Sequence, residues 1–133
     1  MKVFLIIYLF FVSFIFKIIQ KEKSFEESIS DGKLIYEDFC IQCHLFNGEG
    51  IEKIYPPLNN SDYLLKNLDK SIYSIKYGLT GEIIVNGIKY NGVMASQGLE
   101  DDEIADVMNY ITNSWDNSLN VQITTKRVNE LKK

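Results

Sequence analysis

Cys40, Cys43 and His44 lie within five residues of one another, and they are the only cysteines and the only histidine of this 133-residue chain. Thiols and imidazole are the groups that form disulfides, ligate soft metals and bond to cofactors. The chain therefore concentrates that chemistry at one place. Apart from Met1, its methionines are Met94 and Met108, the remaining soft donors.

The run Cys40-Ile41-Gln42-Cys43-His44 has the C-x-x-C-H form by which haem c is attached. Two thiols three residues apart at a helix end reach two vinyl groups on one edge of a porphyrin, and the next residue turns its imidazole under the iron. Three other chemistries compete for the same residues. A Cys40–Cys43 disulfide is feasible outside the cytoplasm. A thioredoxin-type C-x-x-C requires a βαβ context that the sequence does not supply. A zinc site lacks a fourth ligand, because no other Cys or His exists.

With haem attached, His44 supplies one axial ligand, and a second histidine from the same chain is ruled out. Met108 falls on the apolar stripe of a helix, where methionine is ordinarily packing. Met94 lies in the segment Asn91-Gly92-Val93-Met94-Ala95-Ser96, from which a side chain can point at the iron, and it is the expected sixth ligand. The alternative is that Met94 merely covers a five-coordinate haem. Met/His ligation raises the reduction potential and closes both axial positions, which suits passing electrons rather than binding oxygen.

The elements that must position these residues read as short helices and long loops. Residues 31–40 form a helix capped by Asp31, with Leu34, Ile35, Tyr36 and Phe39 as its apolar face. Residues 46–60, with Gly48, Gly50, Pro56 and Pro57, are loop. Residues 61–67 and 69–77 are two short helices, each opened by a capping residue, the second closed by Gly78. Residues 82–90 form a hairpin turning at Asn86-Gly87, and 91–98 return to loop. Residues 99–115 carry the strongest helical pattern, with Ile104, Val107, Met108, Ile111 and Trp115 on one stripe. Glu100 to Glu103 suit the positive end of its dipole. A short helix is expected over 124–131. The class is mainly α, and long loops in so small a domain imply that something other than side chains fills its middle.

The N-terminus is different in kind. Residues 3–16 are apolar except for Ser13, with Lys2 before them and Lys17 after. That is the length of a signal-peptide core and short for a spanning helix, which needs about 17–25 apolar residues. Residues 1–23 therefore read as a signal peptide or a membrane anchor, and 24–30 as a polar linker. The following residues, 21–133, carry 12 basic and 18 acidic side chains, net −6. That balance argues against nucleic acid, whose phosphates need clustered Lys and Arg.

From Asp31 to Trp115 the chain resembles the class I cytochromes c, particularly bacterial monohaem domains. Gly32 and Tyr36, just before the C-x-x-C-H, match the family's small-aromatic pair that crosses the C-terminal helix, where Tyr110 stands as the matching aromatic. Tyr55-Pro56-Pro57-Leu58 resembles the proximal loop whose prolyl carbonyl, here that of Pro56, accepts a hydrogen bond from the axial histidine. Tyr77-Gly78-Leu79 through Met94 looks like the family's hairpin and methionine loop. Ala95 stands where many relatives have proline, and Glu100 where many cap the last helix with Ser or Thr, so that capping is expected to shift to Asp101.

The resemblance implies a small cytochrome c fold, mainly α with a small β-hairpin, over residues 31–117, followed by a tail, 118–133. It implies one covalent haem c held by Cys40 and Cys43, with His44 and Met94 as iron ligands and Pro56 behind the histidine. The function implied is one-electron transfer in a respiratory or dehydrogenase chain, on the periplasmic side, free or anchored to the inner membrane. The protein partners are a redox donor and acceptor that dock transiently through interfaces often below about 1,200 Å². Two alternatives remain open: a haem subunit or anchored module of a larger oxidoreductase, and a haem sensor with a labile sixth site. Catalysis by the protein's own side chains finds no residues, since His44 is committed to iron and no glycine-rich phosphate loop is present.

Overall fold

The computed structural model describes residues 23–133, together with Phe4, Ile7, Tyr8, Phe11 and Val12, which are helical and exposed. Most of the segment read as signal peptide or anchor lies outside the described residues. Among those described, no helix is long and apolar enough to cross a membrane.

The first element described throughout is a long helix, α1 (Phe25–Phe39), and Cys40 joins it to a single further turn, α2 (Ile41–His44). The polar linker expected over 24–30 is thereby corrected, because the helix starts at Phe25. Ser24 caps it by accepting from the Glu27 N–H at 3.1 Å, and Ser24 and Glu27 have the spacing of a capping box. The apolar face also differs from expectation. Leu34 and Phe39 are exposed, whereas Ser28, Gly32, Tyr36 and Cys40 form the buried row. That row repeats every four residues, and two of its members are small, so close backbone approach rather than bulk hydrophobicity defines it.

The partner of α1 is α5 (Asp101–Thr112). Its stripe of Ile104, Val107, Met108 and Ile111 is buried. Glu100, not Asp101, stands at the cap position, and its N–H donates to Glu103 Oε2 at 2.8 Å. The helix ends at Thr112, so Trp115 lies beyond it and reaches its neighbours from a turn with φ of 57°.

Between these helices come α3 (Asp62–Lys66), α4 (Leu68–Tyr77), and a hairpin of β1 (Leu79–Val85) and β2 (Ile88–Met94). Ser61 caps α3 through its hydroxyl. The expected cap at Asp69 is corrected: α4 begins at Leu68, and Asn67 at the cap position makes no side-chain capping bond. Asn86 and Gly87 have φ of 51° and 80°, the doubly positive pattern of a type I′ turn. The strands are longer than the sequence pattern indicates. Leu79 pairs with Met94, so residues 91–94 are strand rather than loop.

Residues 118–133 are bound to the rest of the fold. Helix α6 (Thr125–Glu130) packs on α5, with its own Val128 and the preceding Ile123 fully buried. Asn109 on α5 accepts from the Ile123 N–H at 2.7 Å and donates to the Ile123 carbonyl at 2.8 Å. It also donates to Ser28 Oγ, which in turn donates to the Asp106 carboxylate. Lys23 closes this network on the second oxygen of Asp106 and on Asp31. The start of α1, the middle of α5 and the C-terminal strap are thus tied at one buried point.

Candidate haem-binding site

The α1–α5 crossing sets the position of Cys40. A β-carbon at Gly32 would lie 2.0 Å from the Asp106 carbonyl oxygen and 2.9 Å from Tyr110 Cβ, so only glycine permits this approach. One turn on, Tyr36 meets Tyr110 and Trp115 with ring centroids 5.5 and 5.3 Å away, tilted or edge-on. Such contacts add about 0.5–1.5 kcal/mol per pair beyond burial. The Tyr36 hydroxyl donates to the Leu45 carbonyl at 2.7 Å. It thereby closes the end of α2 just after His44, where a helix leaves its last carbonyls without partners.

The loop after His44 folds back on it. Gly50 donates its N–H to the His44 carbonyl, and Ile51 and Tyr55 bridge to each other. A β-carbon at Gly50 would lie 2.3 Å from the Tyr55 carbonyl oxygen, so glycine again allows two backbone segments to meet. The result places the Pro56 carbonyl 2.9 Å from His44 Nδ1. A carbonyl only accepts, so Nδ1 carries the proton and Nε2 is left as the free donor atom of a neutral ring. Burial lowers the affinity of His44 for a second proton, with the Pro56 bond acting in the opposite sense.

Cys40, His44, Pro56 and Met94 line one apolar cleft of about 620 Å³, open solvent at its mouth included. Leu58, Leu64, Ile75, Leu79, Val85, Met108 and Ile111 complete its walls. Cys43 is half-buried and lies outside this lining. Serines 61, 71 and 74 also face the cleft, yet each hydroxyl is occupied locally. Ser71 and Ser74 donate to the carbonyls of Asn67 and Lys70, and Ser61 accepts from Leu64. Among the described residues no buried side-chain nitrogen or oxygen is left without a partner. The cleft is therefore dry-walled, with a thiol, a neutral imidazole and a thioether as its soft donors, a set that fits a haem.

The other chemistries fit less well. Both thiols are free. That of Cys40 is pushed up to about 12, first by burial and then by Cys43, whereas reactive redox cysteines are held low. Among the described residues no cluster of three His, Cys, Asp or Glu could hold a metal ion.

Several residues that build the site carry no individual signal in the sequence. Asn117 is buried and donates to the carbonyls of Leu58 and Ile111, and its own side-chain carbonyl accepts from the Asn60 N–H. It thereby pins the cleft wall at Leu58 to the end of α5. Gly48 runs under the Trp115 ring, where a β-carbon would come within 2.5 Å.

Comparison with known proteins identifies the family. The family model described as cytochrome c matches residues 29–115, so the chain belongs to that family. Cytochrome c-552 of Thermus thermophilus is 42% identical over 98 residues, covering 70% of this chain and 74% of its own. A second cytochrome c-552, from Thermus thermophilus strain ATCC 27634, is likewise 42% identical over 98 residues, covering 70% of this chain and 66% of its own.

Proposed function

As a member of the cytochrome c family the chain is an electron carrier with one covalent haem c, and we propose that Cys40 and Cys43 tether the haem while His44 and Met94 ligate its iron. The observation that carries this assignment is the convergence of Cys40, His44 and Met94 on one apolar cleft, with His44 Nδ1 committed to the Pro56 carbonyl. The haem supplies iron that cycles between ferric and ferrous states. The protein's residues supply the rest. Pro56 fixes the tautomer and plane of His44 and makes its Nε2 a stronger donor. Met94 would supply a thioether to the iron, which would favour the reduced state. The apolar wall excludes water, so little has to reorganise around the charge that arrives.

The N-terminal apolar run is an export signal, cut off or kept as an anchor, and the carrier works on the periplasmic side within a respiratory or dehydrogenase chain. Its partners are redox proteins met transiently, and the acidic surface sets the rate and salt dependence of those encounters. The test is the mass of the exported protein. One haem that survives acid extraction is expected, held through two thioethers, with Cys40→Ala and Cys43→Ala each removing one link. Haem that is extracted from the wild type by acid would contradict the assignment. The same measurement reads the N-terminal residue of the exported chain.

A further inference from the structure

The segment after Met94 is secured in an unusual place. Helix α4 ends at Tyr77, and the last carbonyls of a helix have no partners within it. Two of them are taken by the Met94 segment. The Ser96 hydroxyl donates to the Lys76 carbonyl at 2.7 Å, and the Gln97 N–H donates to the Ile75 carbonyl at 3.2 Å. Gly78 makes room for this contact, since a β-carbon there would lie 2.9 Å from the Met94 carbonyl oxygen and 3.2 Å from the Ser96 nitrogen. On its other side Met94 is held by the last pair of the hairpin, with Leu79. Ala95, between the two anchors, contributes no side-chain restraint.

The end of α4 is in turn held from outside. Lys76 Nζ pairs with Asp101 at 2.7 Å and donates to the Val128 carbonyl at 3.0 Å. The Tyr77 hydroxyl donates to the Leu131 carbonyl at 3.0 Å. The start of α5 and the C-terminal strap therefore fix the helix end on which the Met94 segment is clipped.

Resting on the assignment of Met94 as a ligand, we propose that Ser96 is a positioning residue: its hydroxyl clips the Met94 segment to the carbonyl end of α4, and the C-terminal strap holds that end through Lys76. The clip does the work of local stiffening that Ala95 cannot do. Without it Met94 leaves the iron at lower perturbation than the fold itself yields.

The experiment uses the haem-loaded protein as wild type, Ser96→Ala, Ser96→Thr, Lys76→Met and the double variant Ser96→Ala/Lys76→Met. Denaturant is titrated against two signals, the weak far-red methionine–iron band of the ferric form and the far-UV circular dichroism. In Ser96→Ala the band is expected to fade earlier while the circular dichroism midpoint holds. That difference corresponds to about a three- to tenfold larger population with Met94 off the iron, the scale of one hydrogen bond. Ser96→Thr restores the wild-type separation of the two signals. Lys76→Met moves the band in the same direction, and its effect is smaller in the Ser96→Ala background, the mark of a shared path. A Ser96→Ala protein whose band and circular dichroism keep their wild-type midpoints, or shift together, would overturn the proposal. A wild type with no far-red band overturns the Met94 assignment itself, and the proposal with it.

Discussion

Gly32 faces the Asp106 backbone so closely that a β-carbon on it would sit 2.0 Å from the Asp106 carbonyl oxygen. No side-chain rotation relieves a clash with a carbonyl, so Gly32→Ala must push α1 away from α5. Cys40 sits about two turns further on, at the end of α1. Overpacking of this kind costs about 3 kcal/mol, and a matching drop in denaturation free energy of the haem-loaded protein is expected. An unchanged free energy would mean that the two helices are not in backbone contact.

Asn109 is fully buried and bonds both backbone groups of Ile123. Asn109→Ala strands those groups, and with them part of the Ser28–Asp106 network. A loss of about 2 kcal/mol is expected, with faster amide exchange at Ile123 and Val128. Exchange confined to other segments would show that Asn109 does not hold the strap.

These two positions also show where apolar periodicity stops being a guide. The C-x-x-C-H run, the stripe on α5 and the Asn86-Gly87 turn were legible because each is a local pattern: fixed spacing, helical period, positive φ. Met94 stood out because so few soft donors exist. In the buried row Ser28, Gly32, Tyr36, Cys40, only the family resemblance marks Gly32 and Tyr36; the apolar pattern misses the row, because a serine and a glycine do not register as apolar. Their burial depends on what α5 presents opposite them, a property of the pair. The helix of the strap was expected over 124–131, but its docking on α5 was not, for the same reason. Around Ile123 and Val128 it is polar, and Asn109, 14 residues away from Ile123 in the chain, is what bonds it to α5.

The pair formed by Lys76 and Asp101 gives a pH prediction with a definite sign. Lys76 beside it holds the Asp101 carboxyl below the usual carboxylate range, and Asp101 raises the affinity of Lys76 for its proton. The Asp101 contribution is present above its unfolded value of 3.8 and is lost as pH falls through the lower folded value. The Lys76 contribution is complete below 10.5 and is lost as pH rises through the higher folded value. The stability gap between wild type and Lys76→Met should therefore be widest from about pH 4 to about pH 10 and close on either side. A gap independent of pH in denaturant melts would show that the pair does not contribute as an ion pair.

The proposed ligation turns on Met94 binding the iron together with His44, and the optical spectrum of the haem-loaded protein, read beside that of Met94→Ala, decides it. The wild type is expected to be low-spin with the far-red methionine–iron band. The variant is expected to lose the band, turn high-spin and have a lower reduction potential. A wild type that is already high-spin, and binds carbon monoxide at once when reduced, would mean that Met94 is not an iron ligand.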